Sequence, residues 1–258
     1  MAEIIAVANQ KGGVGKTTTA INLGAYIAAL GHSVLLVDLD PQANTTSGLG
    51  LDKRGLNQSI YHALFDPSLA ESIMHHTDYH QLSLFPATPE LAAAEVDLVQ
   101  ELGREHKLKE LLSRVDFEYI IIDCPPSLSL LTINALTAAD HILIPVQAEY
   151  YALEGLSQLL ETIQRVRQAL NPQLDLLGVL VTMHDNRTTL SDQVHAEVKK
   201  HFPGKAFDVV IPRNVRLAEA PSHGKPIHAH DKWSKGARSY KNLAKEVKKR
   251  VEKRSADK

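Results

Sequence analysis

Lys11-Gly12-Gly13-Val14-Gly15-Lys16-Thr17-Thr18 decides the reading of this chain, because it lies between an apolar run, Ile4 to Ala8, and a helix-like segment that begins near Lys16. Strand, glycine-rich loop and helix in that order make a phosphate cradle. Small residues let consecutive backbone N–H groups close on a phosphate chain, and the helix N-terminus adds the positive end of its dipole. In that arrangement Lys16 reaches the β- and γ-phosphates of a nucleotide and Thr17 ligates Mg²⁺. The common form of such a loop has a glycine five residues before Gly15; here that position is Gln10, followed by a second lysine, Lys11. A plain glycine turn is the alternative, but it gives no reason for the Lys16-Thr17 pair behind the glycines.

Open parallel sheets bind ligands outside the carboxyl ends of their strands, so further chemistry is expected where apolar runs end in acids. Val34-Leu35-Leu36-Val37 runs into Asp38-Leu39-Asp40-Pro41-Gln42, and Tyr119-Ile120-Ile121-Ile122 runs into Asp123-Cys124-Pro125-Pro126. A buried strand that delivers one carboxylate to the sheet edge suits an acid holding Mg²⁺ through its water shell, which is the role expected of Asp123. Asp38 and Asp40 lie two apart and so on the same side of an extended chain. Pro41 ends that strand and leaves Asp40 to face the γ-phosphate, as the candidate for positioning an attacking water. A helix cap or a loop turn is the alternative for either acid.

These segments resemble the ParA/MinD superfamily of deviant Walker A ATPases, and within it the ParA/Soj-type partition ATPases. Lys11 to Thr18 resembles the deviant Walker A motif, Asp38 to Gln42 the switch segment, and Ile120 to Pro126 the Walker B strand. Leu131-Thr132-Ile133-Asn134-Ala135-Leu136, the stretch Pro145 to Gly155 and the stretch Ile211 to Ser222 resemble the chromosomal Soj-like subgroup in particular. The similarity runs from Ile4 to about Val247.

The resemblance implies an α/β fold: a single P-loop NTPase domain over residues 1–258, with a mostly parallel twisted sheet and helices on both faces. It implies ATP and Mg²⁺ as ligands, with Lys11, Gly12, Gly13, Val14, Gly15, Lys16, Thr17 and Thr18 around the phosphates. In this family the first lysine, here Lys11, reaches into the partner's site, so that ATP is sandwiched in a homodimer and Gly12 lies where two backbones approach. A positive charge supplied across an interface to a phosphoryl-transfer site is worth about 10³ to 10⁵ in rate. Pro212 and Asn214, just after the apolar run Val209-Val210-Ile211, are implied at the adenine, with a simple proline turn as the alternative. Arg187 and Arg216 match positions credited with non-specific binding of duplex DNA by the ATP dimer; ordinary solvated surface charge is the alternative. A centromere-binding ParB/Spo0J-like partner is implied to stimulate hydrolysis, in a cytoplasmic, nucleoid-associated protein that serves chromosome or plasmid partition and possible replication control.

Composition agrees with this picture. At 258 residues the chain has room for one large domain with a full core. A formal net charge of −2 gives no overall attraction to nucleic acid, so any DNA contact must come from a local patch. Lys199, Lys200, Arg213, Lys241 and the basic tail could add to it, and nothing resembles a base-reading helix module. The one cysteine, Cys124, excludes disulfides within the chain and the two-cysteine cluster site of nitrogenase iron proteins, and it reads as a small packing residue in a reducing cytosol. No cleavable leader precedes Ile4 and no apolar run approaches about 20 residues, so a soluble chain is expected. His75, His76, His228 and His230 lack a second pair of ligands at the usual spacing, so no structural metal is expected.

Strands are expected at Ile4–Ala8, Val34–Asp38, Leu82–Phe85, Tyr119–Asp123, His141–Val146, Leu176–Thr182 and Asp208–Ile211. Helices are expected over Thr17–Leu30, capped by Gly31, and over Ser129–Ala139, Ala152–Leu170 and Ser191–His201. Leu153, Leu156, Leu159, Leu160 and Ile163 form a stripe read as core packing, with a dimer or regulator contact as the alternative. Residues 241–258 read as a solvated basic helix with a frayed end. Its stripe of Leu243, Ala244, Val247 and Val251 is too thin for interfacial insertion, so no stable membrane association is expected. A MinD-like membrane-cycling regulator and a P-loop metabolic ligase are the rival functions.

Overall fold

The computed structural model describes residues 2–149 and 156–256. Its frame is a seven-stranded sheet of β1 (Glu3–Val7), β2 (Val34–Asp38), β3 (His75–His76), β4 (Leu82–Phe85), β5 (Tyr119–Asp123), β6 (His141–Gln147) and β7 (Asp175–Thr182), in the order β3-β4-β2-β5-β1-β6-β7. Every pairing is parallel except the short antiparallel edge of β3 on β4.

The central strands are apolar throughout because both their faces are covered, as a parallel sheet with crossover helices requires. Alternate side chains enter two separate cores. Ile5, Val7, Leu36, Ile121 and Leu143 pack on one face with the helix Lys16–Ala29 and the long C-terminal helix Lys235–Ala256. Ala6, Leu35, Val37, Ile120, Ile122 and Ile144 pack on the other with the helices Lys107–Leu112, Leu130–Ala138, Ser157–Ala169 and Thr189–His201. Register then fixes the site: Asp123 pairs with both Val7 and Asp38, so the carboxyl ends of β1, β5 and β2 stop at one level.

Six of the seven expected strands form with ends displaced by at most one residue. The helix after the glycine loop ends as expected, with Gly31 at φ +97°, donating its N–H to Ala28. The expected strand Asp208–Ile211 does not form. The Asp208 and Val209 N–H groups donate to the two carboxylate oxygens of Glu246, at 3.1 and 3.2 Å. The segment therefore touches β7 only through isolated bonds, such as Ile211 N–H to Val181 O at 2.9 Å. A side chain on a distant helix outcompetes the ladder there.

The C-terminal segment also differs from expectation. Its helix starts six residues earlier, at Lys235, and Leu243, Ala244, Val247 and Val251 are buried, not solvated. Tyr240 is buried beside them, its hydroxyl 3.1 Å from Thr19 Oγ1. Arg250 fixes the far half, donating to the carbonyls of Leu177, Lys205 and Ala206 and pairing with Glu246. Of the leucine stripe on the helix Ser157–Ala169 and its approach, Leu156, Leu159 and Ile163 are buried in the core, as expected. Leu153, and the end of the Pro145–Gly155 motif from residue 150 onward, lie outside the described residues.

Burial of the C-terminal stripe carries a measurable consequence. Leu243→Ala should lower the unfolding free energy by about 2–5 kcal/mol, the range for a leucine deleted from a packed core. Urea denaturation measures this, and a change of a few tenths would return the helix to solvent.

Candidate functional site

The loop between β1 and its helix is anchored at both ends. Asn9 donates from Nδ2 to Pro145 O at 2.6 Å and accepts the Lys11 N–H at Oδ1 at 3.0 Å. Thr182 Oγ1, at the end of β7, donates to Val14 O at 2.8 Å. Gly13 and Gly15 sit at φ +73° and +88°, in the left-handed region that side chains resist, so the chain reverses into the helix at Lys16. No side chain caps that helix, which leaves its first N–H groups and its dipole to an anion. The space around the Cα atoms of Gly12 and Gly13 is open. Lys16 is 7 % exposed and donates from Nζ across the loop to Lys11 O at 3.2 Å. Burial lowers its pKa against the raising pull of Asp123, Cys124 and Asp40.

Three carboxylates stand at the level strand ends. Asp123 accepts from Thr45 Oγ1 at 2.8 Å through one oxygen, while its other oxygen, Oδ1, is buried without a hydrogen-bond partner. Burial pushes the Asp123 carboxyl above the usual range, opposed by the Thr17 and Thr45 hydroxyls and by Lys16. An orphaned buried carboxylate oxygen beside two threonine hydroxyls is hard-oxygen chemistry, and the residues present fit Mg²⁺ with part of its water shell. Asp40 is buried and accepts the Gln42 N–H through Oδ1 at 2.9 Å, so it closes the turn after β2.

Asp38, which sequence reasoning left without a task, is a structural anchor. It is fully buried and accepts the Thr46 N–H and the Thr46 hydroxyl through one oxygen, both at 2.7 Å. Thr46 Oγ1 accepts in turn from the Ala87 N–H at 2.9 Å. Burial, then the charge of Asp123, raises the Asp38 carboxyl to about 7. Cys124 is a buried packing residue, as its position beside the strand end suggests, and burial raises its thiol too.

Beyond the loop, a cleft of about 230 Å³ is lined by Gly15, Thr18, Met183, Pro212, Asn214 and Tyr240 among others. The structure thus brings Pro212 and Asn214 beside the glycine loop. Pro212 bridges His184, and Asn214 accepts the Leu217 N–H at Oδ1, capping the short helix Val215–Glu219. Sequence reasoning missed Met183 and Tyr240. The one signal for Met183 is conformational, its φ of +53°, and Tyr240 arrives from a helix over 200 residues away.

The remaining expected residues lie at the rim. Lys11 extends to Glu149 Oε2 at 2.8 Å, both side chains about half exposed. Arg187 is forked onto Asp185, with Nε to Oδ1 at 2.9 Å and Nη2 to Oδ2 at 2.7 Å. Arg216 reaches Glu219 at 2.9 Å and Asp231 at 3.6 Å. The His184–Pro212 bridge sets the segment leading to Arg187 beside the one leading to the helix of Arg216, but each guanidinium already holds a carboxylate.

An AAA domain family model matches residues 2–176. Two similar curated relatives are the sporulation initiation inhibitor protein Soj of Bacillus subtilis and the chromosome-partitioning ATPase Soj of Thermus thermophilus. The first is 57 % identical over 96 % of this chain and 98 % of its own length, the second 55 % identical over 96 % of both. Among solved structures, one from Mycobacterium smegmatis, described as cobyrinic acid a,c-diamide synthase with bound ATP analog and magnesium, superposes with a TM-score of 0.84. It is 40 % identical and the match covers 95 % of this chain and 93 % of that one.

The buried Asp38 sets a pH dependence. Between the ordinary carboxylate range and about pH 7 the folded chain keeps a proton that the unfolded chain has lost, so stability falls as pH rises through that window. Asp38→Asn removes the titrating group. Its unfolding free energy relative to the parent should climb by on the order of 2 kcal/mol from pH 5 to pH 7. Urea midpoints at constant salt report this, and a difference that does not vary with pH would mean that Asp38 stays ionised in the fold.

Proposed function

The chain belongs to the Soj/ParA family of chromosome-partitioning ATPases, and on that premise we propose that it is a partition switch. ATP closes a homodimer, the dimer holds duplex DNA without sequence preference, and hydrolysis to ADP and phosphate lets it go. The observation that carries this reading is the buried Lys16 at the uncapped first turn of its helix, within electrostatic reach of Asp123 with its orphaned oxygen.

In this reading the N–H groups from Gly12 to Thr18 hold the phosphate chain, and Lys16 neutralises its β- and γ-oxygens. Thr17 and, through water, Asp123 would hold Mg²⁺, which supplies charge neutralisation across the β- and γ-phosphates. Asp40 keeps one oxygen for orienting the attacking water. Pro212 and Asn214 line the base cleft, where backbone and amide groups suit an adenine edge. Lys11 is held by Glu149 with its side chain about half exposed, a posture that suits delivery to the partner's phosphate. The open space at Gly12 suits the approach of a second backbone. Nucleotide binding and dimerisation are then one linked equilibrium.

Arg187 and Arg216 form the DNA patch, doubled by the dimer. A ParB/Spo0J-like protein stimulates turnover, and the cell uses the cycle in the cytoplasm on its nucleoid, with replication control as a further role. Two rivals are weaker. Membrane cycling of the MinD type needs an available apolar tail, and here that stripe is buried. A ligase reading takes support from the name of the M. smegmatis structure, but the partition relatives are more similar in sequence.

Co-sedimentation with duplex DNA tests the switch. Protein with ATP and Mg²⁺ should pellet with DNA and release as salt rises, with a log–log slope of about −0.9 per phosphate neutralised; equal binding with ADP would remove the nucleotide control. Lys11→Ala should bind ATP normally yet lose dimerisation and turnover by about 10³-fold or more, and full activity in that variant would end the trans role. Asp40→Ala should hold the ATP dimer on DNA, and fast turnover would discard the assignment. Arg187→Glu should keep the ATPase and weaken DNA binding, and unchanged affinity at low salt would take Arg187 out of the patch.

A further inference from the structure

Trp233 is the one tryptophan of the chain, and it is 79 % exposed. An indole this open leaves one of the largest apolar surfaces a side chain has in water. Its backbone is nonetheless held. The Trp233 N–H donates to Asp231 Oδ1, while Ser234 Oγ donates to Asp231 O and accepts the Ala237 N–H, each at 3.0 Å. The ring therefore stands on a braced turn at the start of the helix Lys235–Ala256. An aromatic side chain with few rotatable bonds, carried on a fixed backbone, binds with little ordering cost.

The surround of the ring is basic. Lys232 Nζ lies 5.2 Å from the ring centroid. Two residues beyond Trp233 begins the lining of a cleft of about 320 Å³, formed by Lys235 and Arg238 with Asn186, Pro212, Ser239 and Asn242. Among the described residues no carboxylate lines that cleft, and Lys235 and Arg238 form no ion pair, whereas Arg187 and Arg216 each hold a carboxylate. Two open cations beside amides and a hydroxyl suit phosphate oxygens. Asp231 ties this surface to Arg216: its Oδ1 takes the Trp233 N–H, and its Oδ2 lies 3.6 Å from Arg216 Nε.

An aromatic ring beside a cationic groove is the composition of a surface for single strands, in which bases stack on the ring while cations follow the backbone. A duplex offers such a ring little, since both faces of each internal base are already stacked. We propose that Trp233 is a stacking platform for an unpaired nucleobase and that, with Lys235 and Arg238 on the flanking phosphates, it forms a binding site for single-stranded DNA. Stacking accepts every base, so the site tolerates any sequence. Its cations need no carboxylate displaced, so it is complete in one protomer and does not require ATP. That the polyanion is DNA rests on the proposed switch; the ring and the cleft stand without it.

Trp233 reports its own contact, because no other tryptophan contributes to the emission. The probe is a thymidine oligomer of about 12 nucleotides, a length within the range that single-strand grooves cover, titrated into the full chain without ATP. The expected result is saturable quenching of the indole emission. By anisotropy of the fluorescein-labelled oligomer, Trp233→Ala should bind about tenfold less well and Trp233→Phe should regain most of that loss. Lys235→Glu/Arg238→Glu should weaken binding and flatten its salt dependence. Trp233→Ala should keep the parent's affinity for a duplex of equal length and, as a surface change, its unfolding midpoint. No quenching, unchanged oligomer affinity in Trp233→Ala, no rescue by phenylalanine, or equal losses on oligomer and duplex would overturn the proposal. Failure of the switch reads differently: ATP would then not govern duplex binding, while quenching by the single strand and its loss in Trp233→Ala would persist.

Discussion

Parallel pairing that stops β1, β5 and β2 at one level is the constraint on which the rest of the structure depends. Val7, Asp123 and Asp38 occupy one register across three neighbouring strands, so the glycine loop, the orphaned carboxylate and the acidic turn all begin from the same line. The continuous apolar runs that give those strands make them stiff and buried on both faces. The residues after each strand are then delivered to the edge with little freedom. The site is a property of register more than of any one motif.

That line sets Asp123 and Asp40 beside the buried Lys16 and Asp38 against Asp123, which is electrostatically unfavourable in the chain by itself. Burial raises the carboxyls of Asp38 and Asp123 and lowers the Lys16 ammonium, so each group is pressed toward its neutral form. Threonines limit the damage. Thr46 satisfies Asp38 twice and Thr45 satisfies half of Asp123, so the remaining unsatisfied valence is concentrated on Asp123 Oδ1. A dication with a triphosphate would answer both deficits, since it takes the free oxygen and supplies the anion that the helix terminus and Lys16 face. Relief of this charge crowding would contribute to ligand affinity, so stability and nucleotide binding should be coupled.

The sequence makes the central part of this legible because the evidence for it is local. Gly13, Gly15 and Lys16 are within four residues, and the strand runs before Asp38 and Asp123 are continuous. Pairings between remote elements were less legible. The failure at Asp208–Ile211 came from Glu246, which lies about 35 residues on and takes the N–H groups that a ladder would need. The C-terminal stripe looked thin because four small apolar residues are too few for a membrane, but they suffice against the helix Lys16–Ala29 once Tyr240 joins them. Asp38 was overshadowed by Asp40 since both belong to one short motif, and only the fold reveals which of them Thr46 claims. The rim is the least legible of all: nothing local pairs Lys11 with Glu149 or Arg216 with Asp231.

The rim pairs bear on how a chain of net charge −2 could hold a polyanion. Exposed ion pairs contribute about 0–1 kcal/mol each, so a phosphate can displace Asp185 from Arg187 or Glu219 from Arg216 at small cost. The displaced carboxylate nevertheless stays nearby and repels the same phosphate, so the gain per arginine is small. A single protomer with two such arginines is then a poor ligand for DNA, whereas joining two protomers makes the second contact intramolecular and multiplies weak affinities. In the proposed switch, self-pairing of the arginines would sharpen the dependence on dimerisation. A surface with bare arginines would hold DNA in every nucleotide state, and the proposed switch would need one that does not.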